Sequence, residues 1–303
     1  MTRHAPNLDL DWLLNSFAPI SLADLNAKAG MMERIDNKYV VSHDALARIV
    51  PDLARQFDIL DIDYRRAFTY DTRYFDDAQR SAYYEHHQGR RNGFKVRTRS
   101  YADAGLCYLE VKVKGTRGMT MKNRIPHDPA ASAVLDGTAL DYIHATYSNH
   151  YGKAFRYALQ WALDIRYKRI TLVAKDGGER MTIDTDLVFS SANRSLRCGT
   201  DVFIIETKSA LGRGFADLCL RQIHERPMKK CSKYCIGMAS LGEVQRSNLF
   251  LPTMRKLNLI GRDGPTLQPL PQQKGLSRQT QVPLRTHLQT REQPLTTKLA
   301  NAG

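Results

Sequence analysis

The chain has few cysteines and no long hydrophobic run, and both absences exclude classes of protein. No run approaches the roughly 18 apolar residues of a transmembrane helix. The N-terminus contains acidic residues and lacks the apolar segment of a secretory signal. The five cysteines are scattered, and no second Cys or His pair accompanies Cys231 and Cys235 to complete a zinc site. We therefore expect a cytoplasmic protein with reduced, packed thiols and no transmembrane segment.

Acidic residues are scarce relative to basic ones. The 303 residues include 45 Lys and Arg against 31 Asp and Glu, which gives a net charge of +14. Residues 251–303 hold eight basic and two acidic side chains, so they carry +6 and the remaining 250 residues carry +8. A balance this basic predicts a polyanionic partner, such as nucleic acid, an anionic membrane surface or a phosphate-rich small molecule.

The C-terminal part differs in composition from the rest. Residues 261–303 contain no aromatic side chain and are rich in Gln, Pro, Thr and Arg. Such a segment buries too little apolar surface to fold. We predict an N-terminal extension at 1–20, a folded domain at 21–250 and a disordered basic tail at 251–303.

Strand-like segments dominate the predicted folded domain. They are rich in β-branched and aromatic residues and are separated by Gly, Asn or Asp turns, of which KDGGER is a hairpin signal. They cover 64–77, 93–102, 107–115, 118–126, 162–178, 179–191 and 201–211. Helical patterns cover 42–57, 130–150 and 213–226. This order predicts an α+β fold, with an antiparallel sheet or closed barrel and a few packed helices.

Charged side chains alternate along many of these strands. In FKVRTRSY, the alternation puts Lys95, Arg97 and Arg99 on one face. Similar rows occur in RIDNKYVV, LEVKVK, MKNRIP, YKRITL, ERMTID and IIETK. One such row alone is typical of a solvated outer face. Repetition in at least six segments favours a basic tunnel inside a barrel, binding a triphosphate-like ligand together with a divalent metal.

These stretches, with YFDD and KKCSKYCIGM, resemble the VTC domain, the catalytic domain of the vacuolar transporter chaperone polyphosphate polymerases. That domain is part of the triphosphate tunnel metalloenzyme, or CYTH-like, superfamily. The matching stretches run in family order across roughly residues 30–240. The resemblance implies an antiparallel eight-stranded β-barrel. It also implies a phosphotransferase that adds the terminal phosphate of ATP to inorganic polyphosphate, with Mn²⁺ or Mg²⁺.

The resemblance also implies roles for individual residues. Phosphate binding falls on Lys38, Arg97, Arg99, Lys112, Lys122, Arg124, Tyr167, Arg169, Arg180, Lys230, Ser232 and Lys233. The catalytic candidates within that set are Arg97, Arg99, Arg169 and Lys233. Glu206 matches the metal-binding glutamate. Asp36 stands where bacterial relatives commonly carry Glu. The SPX domain and membrane helices of the fungal proteins are missing, so coupling of synthesis to translocation would need a separate membrane partner, or does not happen.

Other interpretations remain open. Relatives that hydrolyse tripolyphosphate, nucleoside triphosphates or RNA ends usually carry Glu-x-Glu-x-Lys on the first strand. Here the row reads Arg34, Asp36, Lys38, which favours a polymerase. A non-catalytic polyphosphate-binding protein is the third possibility. Nucleic-acid binding stays open for the basic tail, but the strands lack the aromatic platforms of single-strand binders, which argues against nucleic acid as a partner of the folded domain.

Several candidates also have a purely structural interpretation. Glu206 could pair with an arginine, and Ser232 could serve as a turn or helix cap. The pair His86 and His87 reads as part of a solvated, charged turn.

Overall fold

A computed structural model describes residues 10–28, 34–115 and 120–260, and the backbone of Gln268–Pro269. The strands are β1 (Ala18–Ile20), β2 (Ile35–Ser42), β3 (Phe57–Leu60), β4 (Ala67–Asp76), β5 (Phe94–Tyr101), β6 (Leu106–Lys114), β7 (Thr120–His127), β8 (Gln160–Ala174), β9 (Glu179–Ser190), β10 (Arg194–Arg197), β11 (Val202–Ser209) and β12 (Gln268–Pro269). The helices are α1 (Asp11–Leu14), α2 (Leu22–Lys28), α3 (His43–Gln56), α4 (Ser81–His87), α5 (Gly137–Tyr151), α6 (Phe215–Gln222), α7 (Lys233–Ser240) and α8 (Leu251–Lys256).

Eight strands form one continuous antiparallel path. Their order is β2-β11-β9-β8-β4-β5-β6-β7. The shorter strand β3 pairs with β8 and, in parallel, with β1, while β10 pairs with β9 and β12. The predicted eight-stranded antiparallel architecture with packed helices is confirmed. Within the described residues the edge strands β2 and β7 are not hydrogen-bonded to each other, so backbone bonds do not close the ring there.

The path curls round on itself. Glu206 on β11 and Lys112 on β6 are five strands apart, which in a flat sheet would be about 24 Å at about 4.8 Å per strand. Arg97 and burial lower the pKa of Lys112 well below its ordinary value, and the charge of Glu206 acts against that shift. The two side chains are therefore close enough to interact, and the sheet has a concave inner face.

Apolar side chains cover the outer face of the sheet. Helices α3 and α6 pack on β2, β11 and β9, where Phe203 and Ile205 alternate with the inward-facing residues. Helix α3 is capped by Ser42, whose Oγ accepts a hydrogen bond of 3.2 Å from Ala45 N, and it continues through Pro51. Helix α5 packs on the outer face of β5 and β6. Because the apolar side chains at alternate positions are buried under these helices, the charged side chains between them point to the inner face.

One end of the inner face is filled by helix α7. Gly237 of that helix lies against Phe189 and Leu163, where an added Cβ would come within 2.6 Å of the Phe189 ring. Tyr234, the second residue of α7, stacks on Tyr74 of β4 with ring centroids 5.0 Å apart. Glycine is therefore required where α7 approaches the sheet, and this approach brings residues 232–234 to the charged interior.

The interpretation of His86 and His87 as part of a charged turn is wrong, because they lie in the last turn of α4. Two buried or nearly buried carboxylates hold the start of this helix. Asp77 accepts hydrogen bonds from Ser81 N and Oγ, and Asp76 accepts from Ala82 N and Tyr83 N. A helix of seven residues is too short to show a clear apolar period in the sequence.

The ends of the described chain pack on the sheet. Leu13 and Phe17 are buried before residue 20, and Leu257 and Leu259 are buried after residue 250. The domain boundaries drawn from the sequence stay a prediction. Beyond residue 260 the predicted tail lies outside the described residues, apart from Gln268–Pro269. Among the described helices none is long and apolar enough to cross a membrane.

Candidate active site

The cations of β5 lie on the inner face and are buried. Arg97 and Arg99 are only 6% and 4% exposed, although arginine is rarely buried without a partner. Across the ladder, Arg97 lies opposite Glu110 of β6, Arg99 opposite Tyr108, and Lys95 opposite Lys112. The alternation seen in the sequence therefore marks the interior of the curled sheet and not a solvated surface.

Arg97 is held by neighbours from both sides. Its Nε lies 2.7 Å from Glu110 Oε2, and its NH1 donates a hydrogen bond of 2.7 Å to Tyr74 Oη. Burial alone would raise the pKa of Glu110, but the charges of Arg97 and Arg99 hold it well below the ordinary range. Glu110 is therefore ionised and fixes the Arg97 guanidinium in one orientation.

Arg99 has much weaker ties to the protein. Its guanidinium lies 5.5 Å from the ring centroid of Tyr70, and among the residues of known placement its Nε has no hydrogen-bond partner. The buried hydroxyls of Tyr101 and Tyr167 likewise have no hydrogen-bond partner among the described residues. Buried donors are normally satisfied, and phosphate oxygens suit a guanidinium particularly well. Arg99 is thus prepared to receive an anion.

A second cluster joins β8, β9 and α7. Asp184 accepts bonds of 2.7 and 2.9 Å from Arg169 Nε and NH2, and a further bond of 2.5 Å from Lys233 Nζ. Burial opposes ionisation, but Arg169 and Lys233 lower the pKa of Asp184 to about 2. We call Arg169, Asp184 and Lys233 the paired cluster. It attaches the start of α7 to the sheet.

A third pair lies on β2 and β11. Lys38 Nζ is 2.9 Å from Glu206 Oε1, and Lys208 Nζ is 3.6 Å from the same oxygen. Against the effect of burial, Lys208 and Lys38 hold the pKa of Glu206 well below its ordinary value. The pKa of Asp36 is raised, mainly by burial, with Lys208 acting against the shift and Glu206 adding to it. Two interacting carboxylates therefore stand beside several cations.

Three lysines lie side by side across β5, β6 and β7. Lys95 is the ladder partner of Lys112, which is the partner of Lys122. We call these three residues the lysine row. The pKa of Lys122 is lowered to about 8, chiefly by burial. Lys95 and Lys112 form no salt bridge with any described residue.

A family profile for the VTC domain matches residues 33–242, well over half of the chain. The chain belongs to the VTC domain family. No curated protein matches it. Several solved structures resemble this VTC domain distantly. A putative adenylyl cyclase from Hippeastrum, described as having a dominant triphosphatase activity, is 16% identical with a TM-score of 0.47, covering 71% of this chain and 99% of its own.

Two of the others are more distant. A putative adenylate cyclase from Bacillus halodurans is 12% identical with a TM-score of 0.43, covering 67% of this chain and 97% of its own. The PH1012 protein of Pyrococcus horikoshii is 10% identical with a TM-score of 0.37, covering 63% and 90% respectively. None of the three carries information on the activity of this VTC domain. Its family membership and its buried basic interior support an enzyme that acts on triphosphate or polyphosphate.

Most of the residues predicted for the site share one interior. The following residues lie on the inner face of the sheet or contact a residue that does: Lys38, Arg97, Arg99, Lys112, Tyr167, Arg169, Arg180, Glu206, Ser232 and Lys233. The β7 residues Lys122 and Arg124 lie at the edge of the path, beside Glu110 and over the Tyr108 ring respectively. The charge of Lys230 contributes to lowering the pKa of His86. Lys230 therefore lies near His86, beside the first residues of β5.

Sequence reasoning missed the groups that hold these cations. Glu110 and Asp184 were visible in their charged rows but received no role, and both are 0% exposed. The stacked pair Tyr70 and Tyr167, 5.3 Å apart, flanks Arg169 at 5.1 and 5.4 Å. A carboxylate inside a row of cations is the signal that could have identified Glu110 and Asp184, because buried cations need a neighbouring negative charge.

The VTC domain offers a modest fit for a divalent metal. Residues 10–28, 34–115 and 120–260 hold no group of three or more His, Cys, Asp or Glu that could bind an ion by itself. Glu206 and Asp36 do interact, and Mg²⁺ is often held by one or two carboxylates plus substrate phosphates. The donor set therefore fits an ion whose remaining ligands come from the substrate. Glu206 stays the predicted ligand.

Proposed function

We propose that this VTC domain is an ATP-dependent polyphosphate polymerase that works in the cytoplasm on ATP and inorganic polyphosphate. The observation that carries the proposal is a buried interior in which the cations exceed the carboxylates. Arg99, Lys95 and Lys112 form no salt bridge with any described residue, although all three lie in a space lined by strands. A long polyphosphate chain would supply the missing charge along the whole row.

Phosphoryl transfer depends on positioning and on neutralising charge more than on covalent chemistry. In the proposed reaction a terminal oxygen of the chain attacks the γ-phosphorus of ATP, a new P–O bond forms, and the bond to ADP breaks. Arg97 and Arg169 are rigid because Glu110 and Asp184 orient them, so they hold the reacting phosphates in line. Arg99 and Lys233 neutralise the charge on those phosphates.

A Mn²⁺ or Mg²⁺ ion held by Glu206 would neutralise donor phosphate charge. The protein's own part at this position is to keep Glu206 ionised, which Lys208 and Lys38 ensure. Glu206→Gln removes one negative charge and the carboxylate ligand. We expect loss of metal-dependent turnover with polyphosphate binding retained. Equal loss of both would count against the metal role and favour a structural ion pair with Lys38.

Gel analysis of the products tests the proposal. The purified protein is incubated with ATP and Mn²⁺, or Mg²⁺, and the products are separated on a gel that resolves polyphosphate. Long chains support the polymerase, and Arg99→Ala should abolish them while Lys168→Met, which removes an exposed lysine paired with Asp186, should not. Free phosphate alone would instead identify a hydrolase. Absence of turnover with intact polyphosphate binding would identify a binding protein.

A further inference from the structure

Lys95 connects three separate elements at the α7 end of the interior. It lies on β5 in the same parity as Arg97 and Arg99 and is half-buried. Its Nζ donates a hydrogen bond of 3.0 Å to Ser232 Oγ, next to α7, and lies 3.4 Å from His86 Nε2 on α4. Ser232 also caps α7 by accepting from Cys235 N. The ammonium group therefore occupies a defined position and is not a mobile surface charge.

The charge around Lys95 is unbalanced. Its ladder neighbour is Lys112 and the next residue across is Lys122, so the row contains no carboxylate. In the neighbouring row, Arg97 faces Glu110. Like charges directly opposite one another in a ladder are destabilising. An arrangement of this kind is stabilised when an anion bridges the lysines, and phosphate oxygens accept hydrogen bonds from ammonium groups.

His86 contributes no charge to this cluster. Burial, together with the charges of Lys95, Lys230 and Lys114, lowers the pKa of His86 to about 2. His87 on the same helix adds to that shift. A neutral imidazole with an unprotonated Nε2 accepts a hydrogen bond from the Lys95 ammonium. His86 can therefore hold Lys95 in place without competing with an anion for its charge.

We infer that Lys95 is a further phosphate-binding residue of the interior and that His86 is its positioning residue. The inference rests on the proposed function and deepens it, because it concerns which ligands the interior can hold. Lys95 and Arg99 are four positions apart, about 13 Å along a strand. A ligand that spans this length of the strand is an extended chain of phosphates. Lys95 thus favours long polyphosphate over short phosphates.

Binding of two probes tests the role of Lys95. Affinities for long-chain polyphosphate and for pyrophosphate are measured at one fixed ionic strength, since surface charge effects vary with salt. Lys95→Met should weaken binding of the long chain about tenfold, the cost of one charge-assisted hydrogen bond. Pyrophosphate affinity should stay unchanged. Lys168→Met is the matched control and should alter neither. Unchanged affinity of Lys95→Met for the long chain would overturn the inference.

Two substitutions of His86 test its positioning role. His86→Leu removes the acceptor and should reproduce part of the loss seen for Lys95→Met. His86→Gln keeps an acceptor oxygen and should restore the affinity, which a general packing defect would not allow. In the double variant with Lys95→Met, loss of His86 should add nothing, because it acts through Lys95. Additive losses, or no rescue by Gln, would overturn the positioning role.

The experiment separates this inference from the proposed function. Arg99→Ala should weaken both probes, because Arg99 lies deep in the interior. If the unmodified protein binds neither probe, the proposed function fails and the inference falls with it. If the protein binds both, Arg99→Ala weakens them, and Lys95→Met behaves like the unmodified protein, the proposed function stands and the role of Lys95 is disproved.

Discussion

The paired cluster and the lysine row lie in the same curled sheet, but their positive charges have different neighbours. In the paired cluster, Asp184 accepts three hydrogen bonds from two cations and is itself 0% exposed. In the lysine row, three ammonium groups follow one another across three strands, and Glu110 of the adjacent row approaches only Lys122, at 3.7 Å. The paired cluster is complete without a ligand, whereas Lys95 and Lys112 of the lysine row form no salt bridge with a described residue.

The difference separates residues that build the interior from residues that bind there. A buried ion pair is strongly destabilised by removal of one partner, since the remaining charge loses its compensation. A cluster of like charges is relieved by removal of one member. Substitutions in the two regions should therefore change stability in opposite directions, although both should reduce function.

The largest effect is expected from breaking the paired cluster. Asp184→Asn leaves Arg169 and Lys233 buried without a carboxylate and should cost about 3–5 kcal/mol of unfolding free energy, measured in urea. The matched control is Asp164→Asn, because Asp164 accepts bonds of 2.7 and 2.6 Å from Arg73 with both side chains about one-third exposed. That change should cost at most about 1 kcal/mol. Equal losses would refute the distinction.

Acidification should affect the paired cluster in the same sense. Because the folded pKa of Asp184 is about 2, below the ordinary value of 3.8, its ionisation stabilises the fold above about pH 4. That stability is lost as the pH falls toward 2 and amounts to about 2 kcal/mol for a shift of this size. Urea unfolding at pH 6 and at successively lower pH measures it. The acid-induced loss should be smaller in Asp184→Asn, and an identical loss would contradict this account.

The lysine row should make ligand binding sensitive to alkaline pH. Burial lowers the pKa of Lys122 to about 8, with Arg99, Arg97 and Arg124 adding to the shift and Glu110 opposing it. Bound phosphate favours the charged form, so polyphosphate affinity should fall as the pH rises above about 8. The loss should reach about tenfold, the value of one charge-assisted hydrogen bond. The pKa values of Lys95 and Lys112 are lowered as well, so Lys122→Arg, which stays charged, should reduce this pH dependence by the part that Lys122 contributes; an unchanged dependence would exclude Lys122.

The smallest expected change in unfolding free energy is a gain in stability, opposite to the loss expected for Asp184→Asn. Lys112→Met removes a cation whose pKa is lowered chiefly by Arg97, so the ligand-free protein should become more stable. The gain should be roughly 0.2–1 kcal/mol, the size of one cross-strand pair. Polyphosphate affinity should fall at the same time. Urea unfolding with and without polyphosphate measures both quantities. Destabilisation of the ligand-free protein would show that Lys112 has a structural role instead.

Much of the fold could be predicted because its signals are local. The alternation of side chains predicted strands at 93–102 and 179–191. In the structure, β5 covers 94–101 and β9 covers 179–190. The elements that were missed are short, and individual side-chain contacts fix where they begin. Helix α4 begins where Asp76 and Asp77 offer their carboxylates, and α7 begins where Ser232 meets Lys95 and Lys233 meets Asp184. No local period reveals such contacts.

Alternation along each strand, together with the excess of basic residues, determined that this protein would carry rows of charge opposite apolar rows. The side on which those rows lie was decided by the tertiary structure. Apolar residues of the other parity bury against α3, α5 and α6, and the sheet curls until charges five strands apart interact. Packing of α7 into the curled sheet paired Asp184 with Lys233, 49 residues away in the chain, and packing of α4 on β5 placed His86 beside Lys95. Which cations are compensated depends on distances in space, because charge interactions follow separation and burial and not sequence order.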